Sequence, residues 1–417
     1  MGGSIMKSKK AKAIFFMVFF VTSLIILGAQ QKTTLSVLWF NDANESDVFM
    51  ATMNDYQKAH PNIVLDMQVI PFNDYENKLR MMIAGGNPPD VARLASAHVP
   101  LFATSLEPLS GKSEFDELAK SYFDSSLALG MDENGRIMAM PTEATANGMI
   151  VNKTYFKNAG IDIDKLSLTW TWDQWVDAMK KVIKANPKAK YGITVDFSTH
   201  RFATFLYEAG GRFLSSDGKS MNFNTPESLD ALKFFKMLHD EGLAPKSVWM
   251  GSENPQELFQ SGLVACHVGG SWLINAYNKN IKDFEWAAVR MPKRKINSSV
   301  PGGKFIGTFK SSAHKKEALD LIAVFSDKVH NEQYCKDTFN LSARKDANIK
   351  YTARSNDFAV FTAELNVTPP YTADDWKSDA VAKVNSYARE QIVEGLLGKQ
   401  TMEQTAANIQ AKGNSYF

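Results

Sequence analysis

Cysteine is scarce in this sequence, and the local signatures of several enzyme classes are missing. Only Cys266 and Cys335 occur in 417 residues, too few for the disulfide framework of small secreted domains. The motifs Gly-x-Gly-x-x-Gly, His-Glu-x-x-His and Gly-x-Ser-x-Gly do not occur, and the seven histidines are scattered without metal-ligand spacing. These absences argue against a dinucleotide-dependent enzyme, a zinc peptidase and a serine hydrolase of the nucleophile-elbow type. We therefore expect no catalytic residue, no metal and no cofactor.

The sequence also lacks a strong excess of either charge. The chain has 47 Lys and Arg residues and 45 Asp and Glu residues. Four of its lysines stand within the first 29 residues, which contain no acidic residue, so the remainder has 43 basic and 45 acidic residues and a formal charge of −2. Nucleic-acid binding usually needs a concentrated basic surface, and we expect no nucleic-acid partner.

One long apolar run occurs, and it lies at the N-terminus. Residues 14–27 carry no charge, follow a lysine-rich segment and end at Leu27-Gly28-Ala29. A basic start, a short apolar run and small residues at its end are typical of a secretory signal, so residues 1–29 are predicted to be the signal peptide of a periplasmic protein. A membrane anchor, which needs about 20 apolar residues, is the alternative. No cysteine stands near residue 29, so a lipid anchor is not expected.

Strand-like and helix-like patterns alternate along the rest of the chain. Alternating apolar residues predict strands at 35–40, 63–69 and 91–94, with helical periodicity between them. This order is typical of an α/β protein with a largely parallel sheet, and the chain is long enough to form two lobes. Ligands of such sheets lie beyond the carboxyl ends of the strands, which places Asn41 to Glu45 and Arg93 to His98 at the rim of a site.

The segment at residues 132–160 has the pattern of a hinge. Two strand-like pieces, 137–141 and 149–151, are separated by small polar residues. This pattern is typical of a chain that leaves one sheet and enters another. Glu143 and Thr145 lie on the same side of an extended chain there, so both are candidates to face a ligand.

Tryptophans are the most informative candidates for a ligand surface. Trp272 follows Gly269-Gly270-Ser271 at the end of a predicted buried strand, where an indole ring can face a cleft. Trp249 lies in a loop and is a second site candidate, with core packing as its alternative. The other informative tryptophans lie in apolar patterns or at a helix start and are expected in the core: Trp170, Trp172, Trp175 and Trp286.

A pair of carboxylates keeps an enzymatic alternative open. Glu143 with either Asp42 or Glu45 could form the two-carboxylate arrangement of a glycosidase. Sequence alone does not bring these side chains within a few ångströms of each other. The residues therefore predict a binding protein, with a secreted carbohydrate-active enzyme as the alternative.

Short motifs along the chain resemble a known family in their order and spacing. They are Ala84-Gly85-Gly86-Asn87-Pro88-Pro89-Asp90-Val91, Leu106-Glu107-Pro108-Leu109, Asn134-Gly135-Arg136-Ile137, Asn152-Lys153-Thr154-Tyr155-Phe156, Thr171-Trp172-Asp173, Phe223-Asn224-Thr225-Pro226 and Pro301-Gly302-Gly303. With these motifs in this order, the chain resembles the extracellular solute-binding proteins of ABC importers, in the branch that includes maltose- and trehalose-binding proteins. The resemblance covers nearly the whole chain after residue 29.

The resemblance implies an α/β fold of the two-lobed periplasmic-binding-protein kind (type II-like). Each lobe would be a mainly parallel sheet flanked by helices, and hinge crossings would join the lobes. The N-terminal lobe would comprise residues 33–143 and 304–355, and the C-terminal lobe residues 144–303 and 356–417. Cys266 and Cys335 would then lie in different lobes, where a disulfide would oppose closure, so we expect free thiols.

The resemblance also implies which side chains contact a ligand between the lobes. The loop after the first strand, the end of the third strand and the hinge would supply Asn44, Glu45, Arg93, Glu143 and Thr145. The second lobe and the return crossings would add the segment from Ser198 to Arg201, including His200, and then Trp272, Gly303, Lys304 and Arg344. Some sugar binders of this branch carry an acid where Ala95 and Thr145 stand and an aromatic residue where Lys304 stands. The usual disaccharide pattern is therefore not expected.

The functional hypothesis is a periplasmic receptor that delivers a carbohydrate to the permease subunits of an ABC importer. Its partners would be a small-molecule solute and the membrane permease, and the protein would be a monomer. A receptor of the same fold for a charged non-sugar solute, which Arg93, Lys304 and Arg344 would suit, stays open as an alternative. The carbohydrate-active enzyme stays open as well.

Overall fold

The computed structural model of the protein describes residues 32–417, so the signal peptide predicted at residues 1–29 lies outside the described residues. The strands of the described part are β1 (Thr33–Trp39), β2 (Ile63–Val69), β3 (Val91–Ala95), β4 (Met140–Asn152), β5 (Tyr191–Val195), β6 (Val264–Gly270), β7 (Trp286–Val289) and β8 (Pro301–Gly307).

Helices occupy most of the remaining chain. Those before β6 are α1 (Glu45–Thr52), α2 (Asn54–Ala59), α3 (Phe72–Ala84), α4 (His98–Phe102), α5 (Ser113–Ala119), α6 (Asp124–Ala128), α7 (Lys153–Asn158), α8 (Ile163–Leu166), α9 (Trp172–Ala185), α10 (Thr199–Glu208), α11 (Pro226–Asp240), α12 (Lys246–Trp249) and α13 (Pro255–Gln260). Those after β6 are α14 (Leu273–Asn280), α15 (Lys315–Phe325), α16 (Lys328–Thr338), α17 (Ser355–Val367), α18 (Tyr371–Lys377), α19 (Asp379–Leu396) and α20 (Met402–Asn414).

The strands are hydrogen-bonded in the order β2-β1-β3-β8-β4-β6-β5, and β7 also pairs with β4. β1 runs parallel to β2 and β3, and β5 runs parallel to β6. β4 and β8 pair antiparallel with each other and with their other neighbours. We define the first half as β1–β3 with α1–α6, α15 and α16, and the second half as β5–β7 with α7–α14 and α17–α20. β4 and β8 run between the two halves.

This topology confirms the predicted α/β class, with parallel strands flanked by helices in each half. Among the described strands, every antiparallel pair involves β4 or β8. The division of the chain into the two predicted lobes stays a prediction. Its boundaries after residue 143 and residue 303 fall inside β4 and β8.

The hinge segment differs from its sequence-based prediction. The sequence predicts two strand pieces with a polar joint, but the structure has one continuous strand, β4, with a register shift between Pro141 and Glu143. That shift is a bulge within the strand and not a break. Continuous pairing is possible because β8 places a glycine opposite Thr145: a Cβ at Gly302 would lie 2.7 Å from Thr145 Oγ1. The two strands thus approach too closely there for a larger residue on β8.

Several local predictions are confirmed in the hydrophobic core. Trp170, Trp172, Trp175 and Trp286 are buried. Helix α9 begins at a capping box in which the side chains of Thr171 and Gln174 each accept a bond from the other's backbone N–H. The thiols of Cys266 and Cys335 are both buried and unpaired within residues 32–417. In the same range, no helix is both long enough and apolar enough to span a bilayer.

Candidate functional site

A buried ion pair lies where the first half meets the crossing strands. Arg93, on β3, is fully buried, and its Nη1 donates to the carbonyl oxygen of Phe40 at 2.6 Å. Its Nη2 forms an ion pair with Glu143 Oε1 on β4. Burial opposes the charged form, but the Glu143 carboxylate raises the pKa of Arg93 above its ordinary value. Since either charge alone would be costly at this depth, Arg93 and Glu143 act as one unit.

The loop after β1 closes over this ion pair. Glu45 Oε2 accepts from the backbone N–H groups of Asp42 at 2.9 Å and Ala43 at 2.8 Å, so its carboxylate holds the loop. Burial raises the pKa of Glu45. Asp42 Oδ2 lies 2.9 Å from Lys304 Nζ on β8. Burial opposes the ionisation of Asp42, but the cations of Lys304 and Arg93 lower its pKa. Asp42 is therefore an ionised acceptor beside Lys304.

An indole from the second half completes the cluster. Trp272 follows β6 and is 8% exposed. Arg201 Cζ, from the first turn of α10, lies 4.0 Å from the centroid of the Trp272 ring, and Lys304 Nζ lies 5.2 Å from it. Both cations are within the range of cation–π attraction. Lys304 therefore links the carboxylate of Asp42, in the first half, with the indole of the second half.

Two predicted site residues lie on the crossing strands next to this cluster and contribute through backbone pairing. Thr145 is buried and pairs with Gly302, and Gly303 pairs with Ala144. The carbonyl oxygen of Gly303 accepts from the backbone N–H of Ser96 at 3.2 Å. Thr145 thus lies in the pairing of β4 with β8, and Gly303 connects β8 to the segment after β3.

His200 lies behind Arg201 and not on the indole. Its Nδ1 is 2.6 Å from Arg201 Nη1, and its ring centroid is 4.4 Å from that of Trp376. Burial, together with the adjacent Arg201 charge, lowers the pKa of His200 well below its ordinary value. A neutral His200 can accept from Arg201 only through an unprotonated Nδ1, so its proton is on Nε2.

The sequence predicts that Asn44 contacts a ligand, but its side chain joins the two halves. Its Oδ1 accepts from Asn275 Nδ2 at 2.9 Å and from Lys279 Nζ at 3.1 Å, both on α14. Asn275 Nδ2 also donates to the carbonyl oxygen of Thr338, at the end of α16, at 3.0 Å. Asn275 is 2% exposed. These bonds form a direct polar latch between the first half and the helix that follows Trp272.

Two predicted site residues lie elsewhere. The Trp249 indole is buried in the second half, donates to the carbonyl oxygen of Val195 at 3.1 Å and packs on Phe235 with ring centroids 4.8 Å apart. Its Nε1–H is satisfied by backbone, so Trp249 is a core residue. Arg344 donates through Nε to Asp346 at 2.9 Å and through Nη1 to the carbonyl oxygen of Ser326 at 2.7 Å. With these donors committed, Arg344 is a structural residue of the first half.

The structure thus brings together part of the predicted set: Glu45, Arg93, Glu143, Trp272 and Lys304. The sequence analysis names Asp42 only as a possible carboxylate partner of Glu143, includes Arg201 only as the end of a segment and does not name Asn147. Asn147 Oδ1 accepts from Arg201 Nη1 at 2.7 Å. Asp42 lies in the rim segment after β1, so its position was a usable signal. No local sequence signal marks Asn147, because its partner Arg201 is 54 residues away.

A surface cavity of about 440 Å³ lies outside this cluster, in the second half. Its charged lining residues are paired with each other: Arg294 Nε lies 2.9 Å from Asp230 Oδ2, and Lys295 Nζ lies 3.1 Å from Glu227 Oε1. None of its lining residues belongs to the cluster. In the described part of the chain, no three His, Cys, Asp or Glu side chains are grouped as a metal site.

Comparison with known families gives a match over most of the chain. The sequence model of the bacterial extracellular solute-binding proteins matches residues 42–328. A candidate binding protein of Brucella abortus is 25% identical over 334 residues, which are 78% of this chain and 79% of the relative. The arabinooligosaccharide-binding protein of Halalkalibacterium halodurans is 22% identical over 299 residues, which are 69% of this chain and 66% of the relative.

Solved structures show the same fold over nearly the whole chain. An ABC substrate-binding protein from Listeria monocytogenes, in complex with cycloalternan, superposes with a TM-score of 0.78 at 22% identity, covering 93% of this chain and 99% of that one. An ABC transporter solute-binding protein from Thermotoga lettingae, bound to α-D-tagatose, gives a TM-score of 0.79 at 21% identity, covering 92% and 99%. At these identities the superpositions establish the fold, which in both relatives is that of a transporter's binding protein.

Proposed function

This chain belongs to the bacterial extracellular solute-binding protein family, and we propose that it captures a sugar or oligosaccharide between its two halves. One observation carries the proposal: the Trp272 indole lies against Arg201 and Lys304, and Lys304 pairs with Asp42 from the other half. A sugar ring has an apolar C–H face that packs on an indole and a belt of hydroxyls that bond to charged groups. The site combines these two kinds of surface.

The balance of charges at the site favours a neutral polar ligand over an ion. Its cations are Arg93, Arg201 and Lys304, and its carboxylates are Asp42, Glu45, Glu143 and Asp196. Arg93 pairs with Glu143, Lys304 with Asp42 and Arg201 with Asp196. Glu45 instead accepts from backbone N–H groups, and burial raises its pKa. A charged solute would find no surplus of opposite charge, whereas hydroxyls can both donate to and accept from fixed ionic groups.

The indole alone supplies only part of a useful affinity. An aromatic side chain buries about 150–250 Å², which at about 25 cal/mol/Å² corresponds to at most roughly 4–6 kcal/mol. Micromolar affinity needs about 8 kcal/mol. The charged groups around Trp272 must therefore supply the difference, and they also set specificity because a missing hydroxyl leaves a buried partner unpaired.

Capture and delivery follow from closure of the two halves. A ligand that touches both halves binds the closed form better than the open one, and hinge closure is an established motion of periplasmic binding proteins. We propose that residues 33–143 with 304–355 and residues 144–303 with 356–417 are the two lobes, and that the closed form docks on ABC permease subunits. The protein would act as an exported monomer in the periplasm, in keeping with its extracellular family.

A ligand panel tests the proposal. Residues 32–417 are mixed with maltose, maltotriose, arabino-oligosaccharides and D-tagatose, and separately with glucuronate, amino acids and organic acids. Because a ligand stabilises the state that binds it, at least one neutral sugar should raise Tm in a saturable way and the ions should not. A rise in Tm with the charged compounds alone would show that the ligand is a charged solute and not a sugar. We expect the oligosaccharides to be recovered intact. Their hydrolysis would show that the protein is a carbohydrate-active enzyme instead.

A further inference from the structure

Arg201 and Trp272 are joined by a second, buried route besides their direct contact. We propose that Asp196 and His267 are positioning residues that hold the Arg201 guanidinium against the Trp272 indole and so determine which hydroxyl pattern the site accepts. The inference about specificity rests on the proposed carbohydrate function. The inference about positioning does not.

The Arg201 guanidinium is held by several partners on one side. Nε donates to Asp196 Oδ2 at 3.3 Å, and Nη1 lies 2.7 Å from Asn147 Oδ1 and 2.6 Å from His200 Nδ1. Nη2 has no hydrogen-bond partner among residues 32–417. The group is planar and rigid, so fixing two of its nitrogens also fixes the direction of the Nη2 hydrogens beside the indole.

Asp196 connects Arg201 to the interior of the second half. It directly follows β5, and its Oδ1 lies 2.6 Å from Nε2 of His267, which is fully buried on β6. Burial opposes ionisation, but His267 and Arg201 together lower the pKa of Asp196. A carboxylate only accepts, so Nε2 of His267 carries the proton. Each oxygen of Asp196 is thus used once, one for His267 and one for Arg201.

His267 is in turn linked to Trp272 through helix α14. His267 Nδ1 is hydrogen-bonded to the hydroxyl of Tyr277, which lies on α14. Trp272 is the N-cap residue of that same helix. The chain of contacts therefore forms a ring from Trp272 through α14, Tyr277, His267 and Asp196 to Arg201 and back to Trp272. Both members of the cation–π pair are held by the same buried groups, so their relative placement depends on Asp196 and His267.

Substitution of Asp196 tests this positioning directly. An amide has one acceptor oxygen where a carboxylate has two, so Asp196→Asn cannot accept from both His267 and Arg201. Without any sugar, the indole band in near-UV circular dichroism should change in Asp196→Asn. The same substitution in a Trp272→Phe background should cause no change. A change that persists in that background would overturn the positioning role.

The sugar of the panel with the largest rise in Tm, and its monodeoxy analogues, provide the second test. The wild-type protein should discriminate against one analogue by about 10-fold or more, since a lost hydroxyl leaves a buried donor unpaired. Asp196→Asn and Arg201→Gln should each reduce that ratio to less than about 3-fold, and the double variant should lose no more than Arg201→Gln alone. Additive losses, or an unchanged ratio in Asp196→Asn, would contradict the inference.

Two further variants separate positioning from simple damage to the fold. His267→Gln keeps a side-chain donor toward Asp196, so it should retain more discrimination than His267→Leu. Glu208→Gln is the matched control, because Glu208 is a fully buried acid of the same half that accepts from Trp172 Nε1 at 2.7 Å and does not touch Arg201. Its ratio should equal that of the wild type. If no sugar binds the wild type, the proposed function fails, and the circular dichroism experiment still decides the positioning role.

Discussion

The polar latch between the halves gives a prediction whose size follows from its hydrogen bonds. Asn275→Ala removes the group that donates to Asn44 Oδ1 at 2.9 Å and to the carbonyl oxygen of Thr338 at 3.0 Å. A protein hydrogen bond contributes about 0.5–1.5 kcal/mol net, so two bonds stabilise the closed form by about 1–3 kcal/mol. This corresponds to a change of about 5- to 150-fold in the ratio of closed to open molecules.

That change should appear in sugar affinity. A ligand that binds only the closed form has an apparent Kd inversely proportional to the closed fraction. If most ligand-free molecules are open, Asn275→Ala raises Kd by the same factor. Isothermal titration calorimetry measures this Kd. Stopped-flow tryptophan fluorescence should assign most of the effect to faster dissociation, because affinity differences between variants of one site arise mainly in the dissociation rate.

Variants on the same helix supply the controls. Asn280→Ala changes the same residue type at an exposed position of α14, and its Kd should stay within about 2-fold of the wild type, as for other exposed substitutions. Lys279→Met removes only an exposed donor to Asn44, at 3.1 Å, and should have a small effect. An Asn275→Ala variant that keeps its Tm and binds sugar as tightly as the wild type would show that the latch does not stabilise the closed form. An equal loss of affinity in Asn280→Ala would show the same.

Three further predictions concern the ion pair, a buried acid and a glycine. Glu143→Gln leaves the buried Arg93 without its carboxylate and should destabilise the protein by about 3–5 kcal/mol in urea unfolding; a loss under about 1 kcal/mol would contradict the role of the pair. Burial raises the pKa of Asp375 from 3.8 to about 6. The fold therefore binds this proton more tightly than the unfolded chain does, and stability falls as pH rises from about 4 to about 6, by roughly 3 kcal/mol at about 1.4 kcal/mol for each pKa unit. Asp375→Asn should accordingly lose less Tm than the wild type between about pH 4 and about pH 7, and an equal loss would rule out this assignment. A Cβ at Gly270 would lie 1.9 Å from Trp272 Cζ3, so Gly270→Ala should displace the indole and weaken sugar binding by more than about 10-fold, whereas unchanged calorimetric affinity would show that the ring need not stay in place.

The sequence predicts the strands of the first half well, because their apolar alternation is local. β4 was predicted as two pieces, since the small polar residues between them look like a joint. The structure shows that these residues continue the strand because Gly302, more than 150 residues later in the chain, allows close pairing with Thr145. No pattern within the segment itself reveals its partner.

The two tryptophan candidates show the same limit within the site. Trp272 and Trp249 are both near glycines in the sequence, which favours Trp272 as a site residue and leaves core packing open as the alternative for Trp249. Trp249 is a core residue because Phe235, on the distant helix α11, packs against it. Arg344 is a case in which a local signal existed, because its carboxylate partner, Asp346, is only two residues away. The Asn44 latch, by contrast, depends on Asn275 and could not be predicted from either segment alone.

The role of Trp272 in sugar binding can be tested by calorimetric titration of the wild-type protein and Trp272→Ala with the sugar panel. We predict saturable 1:1 binding of at least one neutral sugar to the wild type. We also predict a loss of at least about 100-fold in Trp272→Ala, or about 2.7 kcal/mol. Equal affinity in the two proteins, or no heat with any sugar of the panel, would contradict these predictions.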